Sequence, residues 1–301
     1  MTFRKIVLPF ITSFLFAGSF VAGKYTNIDL GPLTTTLLRY LIALLFLACL
    51  LFKYGRDSLK VRRKDLWQMF LLGAFGVVGY HYFFFSSLLY TDAANSAIIN
   101  ATNPIYTGTL AALFLGERLS LRNYLGVLVA MAGVLFLLVR GDLSVLTRFD
   151  FNRGEILMLL GVFCWVIYSL MIKGLSKTYS GFTLTWYAAV FGVVQLLVLV
   201  FLEQPVQQVQ QLSTASVLSL LYMGILASGV GYYLFVLSIQ EIGPTRTAGS
   251  VYSTVPVFVA GLALMFFGEQ ITWIMGASSL AIIVGLRFAL VDRPINSGPR
   301  P

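Results

Sequence analysis

A histidine and two asparagines lie inside long apolar segments of this sequence, where polar side chains are rare. His81 is the single histidine and lies within GYHYFFFSS, while Asn100 and Asn103 lie three residues apart in the next apolar segment. An imidazole takes up or releases a proton near neutral pH, and residues three apart share one helix face. Polar groups in lipid are costly, so each is a candidate binding group. The chemistry indicated is reversible binding of a small molecule, with hydrogen bonding between helices as the alternative role.

Aromatic side chains occupy the same apolar segments. We expect the following residues to bind substrate together with His81, Asn100 and Asn103: Tyr80, Tyr82, Trp165, Tyr168, Tyr232, Tyr233 and Tyr252. Amide groups suit the polar end of an amphipathic molecule, and rings suit its apolar body. Packing inside a helix bundle is the alternative role of each tyrosine.

The composition places these residues in a membrane. Of the 301 residues, 58% are hydrophobic and only 11% are charged, which is too apolar for a water-soluble domain of this length. A bilayer core of roughly 30 Å needs about 20 apolar residues per helix. We therefore predict an all-α integral membrane protein with ten transmembrane helices, at residues 6–23, 33–52, 67–89, 93–115, 120–139, 154–173, 180–202, 215–239, 244–267 and 271–290.

The chain contains an internal repeat. NPIYTGTLAALFLGE at residues 103–117 is echoed by VPVFVAGLALMFFGE at residues 255–269. Residues 78–133 align with residues 230–285 without gaps, and the identical pairs include Gly79/Gly231, Tyr80/Tyr232, Ser86/Ser238, Pro104/Pro256, Gly116/Gly268 and Glu117/Glu269. We predict two units of five helices each, residues 1–147 and 148–301. An odd number of helices per unit inverts the second unit in the membrane.

The distribution of lysine and arginine predicts the orientation. With a cytoplasmic N-terminus, most of the 21 Lys and Arg residues fall on the cytoplasmic side, including the cluster in residues 53–64. This asymmetry fits the positive-inside rule for an even number of helices. We expect both termini in the cytoplasm, the cytoplasmic (inner) membrane as the location, and contact with anionic lipid at that face. The net charge of +9 then reflects topology, and no nucleic-acid partner is predicted.

The doubled Pro-x11-Gly-Glu pattern resembles the drug/metabolite transporter superfamily, in particular its EamA branch. Pro32 followed by Arg39 in the second helix adds to the resemblance, which covers nearly the whole chain. It implies a carrier that exports amino acids or other small metabolites through a cavity formed chiefly by the third, fourth, eighth and ninth helices. The chain departs from the family pattern in its second half, where Ala188, and not an arginine, lies near the position that corresponds to Arg39.

Helix irregularities and one cation inside a predicted span complete the candidate site. We expect hinges at Gly79, Pro104, Gly231 and Pro256, because glycine permits close approach and proline removes a backbone donor. Arg39 is a possible charge site, and two roles are open for it. In the first role its side chain extends to the membrane interface or forms a structural pair with another group of the protein. In the second role it attracts carboxylate groups.

These patterns favour secondary transport over catalysis. The predicted spans hold no acidic residue near their centres, no metal-ligand spacing and no Walker A loop, so we expect no metal, no cofactor and no enzymatic activity. Whether protons are coupled stays open. We predict export of small amphipathic metabolites, with amino acids as the favoured class and hydrophobic or aromatic ones slightly preferred, by alternating access around a cavity near mid-membrane. The alternatives are efflux of drugs or lipophilic cations, and a membrane sensor that does not transport.

Overall fold

The computed structural model describes residues 3–54, 59–115, 121–138 and 152–290 of the chain. Within these ranges the regular structure is helical, without a β-strand. Helices satisfy their backbone hydrogen bonds internally, as a lipid environment demands. The predicted boundary after residue 147 and the pair Gly116–Glu117 lie outside the described residues.

We label the helical segments of the described ranges in chain order. Two of them are broken into halves, which carry the letters a and b. The segments are α1 (Phe3–Asp29), α2 (Pro32–Tyr54), α3 (Arg63–Ser87), α4a (Ala93–Asn100), α4b (Asn103–Leu115), α5 (Leu121–Leu138), α6 (Arg153–Leu175), α7 (Gly181–Leu199), α8 (Thr214–Ile242), α9a (Pro244–Tyr252), α9b (Val255–Phe267) and α10 (Trp273–Leu290). A 3-10 turn, Val200–Glu203, and a short helix, Pro205–Gln210, connect α7 to α8.

Many of these helices are long enough to cross a bilayer. In the described part of the chain, 7 helices combine sufficient length with sufficient hydropathy: α1, α2, α3, α6, α7, α8 and the combined segment Pro244–Phe267. Leu128–Leu137 and Trp273–Gly285 are shorter apolar stretches within α5 and α10. The predicted class, an all-helical multi-pass membrane protein, is confirmed, while the count of ten crossing helices stays a prediction.

The helix irregularities lie at equivalent positions in the two halves, as the internal repeat aligns them. α3 contains a π-helical segment at Gly73–Gly79, and α8 contains one at Tyr222–Gly231. α4 is interrupted just before Pro104, and α9 just before Pro256. A π segment inserts extra backbone into a helix and is frequent at functional sites. The four predicted hinge residues therefore all lie at or beside a break in regular α-helix.

The third helix of each half packs between the first two helices of the other half. α3 packs against α6 and α7, and α8 packs against α1 and α2. Glycine makes the approach possible: a Cβ added at Gly73 would lie 2.6 Å from the backbone nitrogen of Gly192, and one added at Gly224 would lie 2.9 Å from the carbonyl oxygen of Arg39. The two halves are thus interlocked around α3 and α8.

Gly268 and Glu269, at the end of α9b, connect this helix with α4a and with Lys24 of α1. Gly268 has a left-handed φ of 65° and ends the helix, a conformation that favours glycine. The chain reversal brings the Glu269 carboxylate to the start of α4a, where it accepts hydrogen bonds from the amides of Ala93 (3.2 Å) and Ala94 (3.3 Å). The ammonium group of Lys24 donates to the same carboxylate at 2.8 Å. The role of Glu269 in the fold is therefore structural.

Candidate functional site

The two π-helical segments end where the central aromatic side chains begin. Tyr80 and His81 open the regular helix that follows the π segment of α3, and Tyr232 does the same in α8. Because a π segment changes the rotation of the helix beyond it, the direction of these side chains depends on its position. All three are buried in the interior.

Rings from both halves form one contact network, which we call the aromatic layer. Its ring centroids lie 4.7 Å apart for Tyr80 and Trp165, 5.0 Å for Trp165 and Tyr232, and 5.2 Å for Tyr40 and His81. These separations are typical of edge-to-face and tilted aromatic pairs. The layer consists of Phe16, Tyr40, Tyr80, His81, Trp165, Tyr168, Tyr232 and Phe235, all of them buried.

His81 has a hydrogen-bonding neighbour at each ring nitrogen. Its Nδ1 lies 2.9 Å from the carbonyl oxygen of Val77, so Nδ1 carries the proton and donates. In the neutral ring Nε2 is then an acceptor, 3.2 Å from the hydroxyl of Tyr232. That hydroxyl also lies 3.2 Å from the carbonyl oxygen of Gly76, so its single proton faces two acceptors. His81 thereby connects α3 to α8, and its predicted role as a proton carrier stays a prediction.

Several buried polar atoms beside the aromatic layer have no hydrogen-bond partner within the described residues. Apart from Tyr40 Oη on α2, they include Trp165 Nε1, Tyr168 Oη, Tyr252 Oη, Asn100 Oδ1 and Asn103 Nδ2. Most buried polar atoms in folded proteins are paired, so a group of unpaired ones calls for a physical reason. These atoms lie on α4, α6 and α9, which pack against one another. They supply donors and an acceptor next to large ring surfaces, the combination that binds an amphipathic ligand.

Two of the residues with unpaired atoms that lie outside the layer, Asn100 and Tyr252, contact it directly. The amide nitrogen of Asn100 lies 3.5 Å from the hydroxyl of Tyr80, at the limit of a hydrogen bond. The ring of Tyr252 lies 6.3 Å from that of Phe235. Asn103 accepts a hydrogen bond of 3.0 Å from Thr107 through Oδ1, which leaves its amide nitrogen unpaired.

Arg39 is buried, so its side chain does not extend to the interface, whereas structural pairing and attraction of a carboxylate both stay open for it. The residue is 2% exposed, and its Nε donates to the hydroxyl of Ser228 at 2.5 Å. Its guanidinium carbon lies 6.0 Å from the ring centre of Tyr40 and 5.9 Å from that of Phe85. Close packing of α2 on α8 covers the side chain, which explains why it cannot reach the interface.

Tyr82 and Tyr233 do not join the aromatic layer, and this corrects the expectation for both. Tyr82 is 40% exposed on the outside of the bundle, where its ring contacts Phe83. Tyr233 is half-buried, and its ring pairs with Phe182. Successive helix residues point about 100° apart. With Tyr80 and His81 both turned toward the interior, the next residue, Tyr82, is directed away from it, and Tyr233 is likewise turned away from the direction of Tyr232.

Several residues of this region, among them Tyr40 and Ser228, were not predicted from the sequence. Tyr40 belongs to the aromatic layer, and Ser228 binds Arg39. The available signals were the position of Tyr40 directly after Arg39 and that of Ser228 between two glycines of the eighth helix. Neither signal distinguishes an interior residue from one that faces lipid.

A cavity of about 510 Å³ opens at the end of the bundle that holds Lys24. Its lining does not include residues of the aromatic layer. The polar side chains around it are Lys24, Tyr90, Thr91, Asp92, Asn95, Asn152, Gln270 and Thr272. Asn95 lies on α4a, the same short helix that ends at Asn100 beside the layer.

Comparison with known proteins gives a consistent result. The family model described as the EamA-like transporter family matches residues 4–139 and again residues 152–291. The uncharacterized transporter YyaM of Bacillus subtilis is 27% identical, over 90% of this chain and 89% of its own length. A protein of Streptantibioticus cattleyicolor, described as a "probable terminal-alkyne amino-acid exporter", is 26% identical over 69% of this chain and 67% of its own. A solved crystal structure matches with a TM-score of 0.66 at 18% identity, over 95% of this chain and 97% of that one.

Proposed function

The chain belongs to the EamA-like transporter family, and from this premise we propose that it is a secondary transporter that exports small amphipathic metabolites. Amino acids are the favoured class, with hydrophobic or aromatic ones preferred. The observation that carries the proposal is the set of unpaired polar atoms of Trp165, Tyr168, Tyr252, Asn100 and Asn103 beside the aromatic layer. A ligand with polar and apolar ends satisfies those atoms and covers the rings. The name of the Streptantibioticus relative gives additional support for amino acids.

Alternating access between two inverted units is the proposed mechanism. Two separate matches of one family model support the division into residues 1–147 and 148–301. The paired π segments of α3 and α8 and the paired breaks of α4 and α9 also support it. Each unit contains a third helix that packs against the other unit and a fourth helix that is broken. Because the two units are inverted, a conformational change in one unit has an equivalent of opposite orientation in the other. We place both termini in the cytoplasm, in a cytoplasmic membrane.

The cavity beside Lys24 is the proposed access route in the described conformation. Asn95 in the cavity and Asn100 beside the layer are separated by roughly 8 Å along α4a, from a rise of 1.5 Å per residue. A small shift of α4a at its break before Pro104 then connects the cavity with the layer. Gly79, Gly231, Pro104 and Pro256 are the proposed hinges of this shift and of its inverted counterpart.

Counterflow in proteoliposomes tests the proposal. Vesicles with the purified chain are loaded with unlabelled L-phenylalanine and diluted into labelled L-phenylalanine, with and without a pH gradient. We expect transient, saturable accumulation of the label. Tyr168→Phe is expected to raise the half-saturating concentration roughly 2- to 10-fold, the range for one neutral hydrogen bond. Because the Tyr168 hydroxyl has no partner in the described residues, its loss leaves folding intact.

Tyr82→Phe provides the matched control, since it removes the same hydroxyl from an exposed ring. It is expected to leave transport unchanged. Saturable binding of amino acids without counterflow would overturn the transport function and favour a sensor. Transport of tetraphenylphosphonium without transport of amino acids would support a carrier function but overturn the proposed substrate class.

A further inference from the structure

We infer that Arg39 binds a carboxylate group of the transported molecule, an assignment that rests on the proposed transport function. Arg39 lies inside the bundle, on the α2 surface that packs against the π segment of α8. A guanidinium remains charged in proteins, so its charge must be balanced where it lies. The groups that surround the side chain indicate which kind of group balances its charge.

No acidic side chain of the described ranges balances this charge. The ion pairs found within 4.0 Å in those ranges involve other cations, such as Lys24 with Glu269 and Arg62 with Asp65, and Arg39 forms none with a described residue. An uncompensated charge in a dry interior is strongly unfavourable. A buried arginine that serves packing alone normally has a carboxylate or several carbonyl oxygens as partners.

The partners that Arg39 does have are neutral. Ser228 accepts one hydrogen bond, and the sulfur of Met223 lies 3.8 Å from Nη1, where it is a weak acceptor. The rings of Tyr40 and Phe85 lie within the distance of cation–π contacts. These groups hold the guanidinium in place and leave most of its five donors for another acceptor. The planar fork of those donors matches a carboxylate in bidentate geometry.

Arg39 adjoins the aromatic layer through two shared rings. The ring of Tyr40 contacts both Arg39 and His81, and the ring of Phe85 lies 6.0 Å from His81 and 5.9 Å from the guanidinium carbon. A carboxylate on Arg39 therefore lies beside the rings proposed to hold an apolar side chain. The partners found for Arg39 include no second cation, so a single negative charge fits better than a phosphate dianion.

The experiment compares L-phenylalanine with L-phenylalaninamide, which keeps the ring and lacks the carboxylate. Binding of both compounds to the purified full-length chain is measured by competition with labelled L-phenylalanine, and counterflow is measured separately. Wild type is expected to bind the acid roughly 10- to 100-fold more tightly, the range for charged hydrogen bonds. Arg39→Gln is expected to abolish this preference, and Arg39→Lys to retain part of it.

Arg62→Gln is the matched control, because Arg62 is largely exposed and pairs with Asp65 away from the layer. It is expected to keep the full preference. Equal binding of acid and amide by wild type, or an unchanged preference in a folded Arg39→Gln variant, would overturn the assignment. Absence of binding of either compound to wild type would overturn it as well. Selective binding of the acid without counterflow would uphold the assignment and overturn the transport function, so the two failures are distinguishable.

Discussion

The substitution Glu269→Gln tests how the Gly-Glu pair stabilises the bundle. The Glu269 carboxylate is 10% exposed, accepts a hydrogen bond of 2.8 Å from Lys24, and receives the first two amides of α4a. Glutamine keeps the shape and one acceptor oxygen but removes the negative charge. Charged hydrogen bonds contribute about 1.5–3 kcal/mol each, and a charge at a helix N-terminus about 0.3–1 kcal/mol. Since part of the hydrogen bonding persists in the variant, we expect a loss of about 2 kcal/mol in the free energy of unfolding.

Asp92→Asn makes the same change in charge next to the same lysine. Asp92 lies 3.5 Å from Lys24, but its side chain is 56% exposed. An exposed ion pair contributes roughly 0–1 kcal/mol because water and salt screen it. Both variants are unfolded in mixed micelles by titration with dodecyl sulfate, and helix content is followed by circular dichroism. A loss for Asp92→Asn equal to that for Glu269→Gln, or no loss for Glu269→Gln, would refute the structural role derived from burial and helix capping.

Two further substitutions test the packing and hydrogen bonding of the centre by thermal unfolding in detergent. Gly73→Ala places a methyl group against the backbone of Gly192 and is expected to lower the free energy of unfolding by about 1–3 kcal/mol. Gly174→Ala is the control, because a Cβ at Gly174 has no atom within 4 Å, and it is expected to be neutral or slightly stabilising. Equal effects of the two substitutions would contradict the interlocked packing. Tyr232→Phe removes the single hydroxyl proton that lies within reach of two buried acceptors, the Gly76 carbonyl oxygen and His81 Nε2, and is expected to cost about 1–3 kcal/mol. Tyr82→Phe, which removes the same hydroxyl from a 40% exposed ring outside the layer, is expected to change stability by less than about 0.5 kcal/mol, and a larger loss there would show that the layer is wrongly defined.

The helices and their breaks were predictable from the sequence because their causes are local. Apolar stretches of about 20 residues require helices in lipid, and proline removes the backbone donor that would continue one. Pro104 and Pro256 therefore indicated the interruptions of α4 and α9. The role of Glu269 was also accessible, since a glycine followed by an acidic residue at a helix end is typical of a turn that reaches another backbone.

The rotation of side chains was not predictable because it depends on tertiary packing. The π segments at Gly73–Gly79 and Tyr222–Gly231 have compositions that equally suit an α-helix, and they decide which tyrosine faces inward. Tyr82 and Tyr233 were expected in the site for this reason and lie outside it. The burial of Arg39 likewise depends on the close approach of α8, which periodicity within α2 does not reveal.

The central claim is that the transported molecule binds at the aromatic layer, and the fluorescence of Trp165 tests it most directly. The chain has 4 tryptophans, and Trp165 lies in the layer while Trp273 is 72% exposed near the end of the bundle. One variant retains only Trp165 and a second retains Trp165 and Trp273, with the other tryptophans replaced by phenylalanine, so the difference between the two variants reports Trp273 while the layer stays intact. On titration with L-phenylalanine in proteoliposomes, we predict a saturable change for Trp165 at the concentrations that saturate counterflow, and none for Trp273. Saturable counterflow without a change at Trp165, or an equal change at Trp273, would contradict the account.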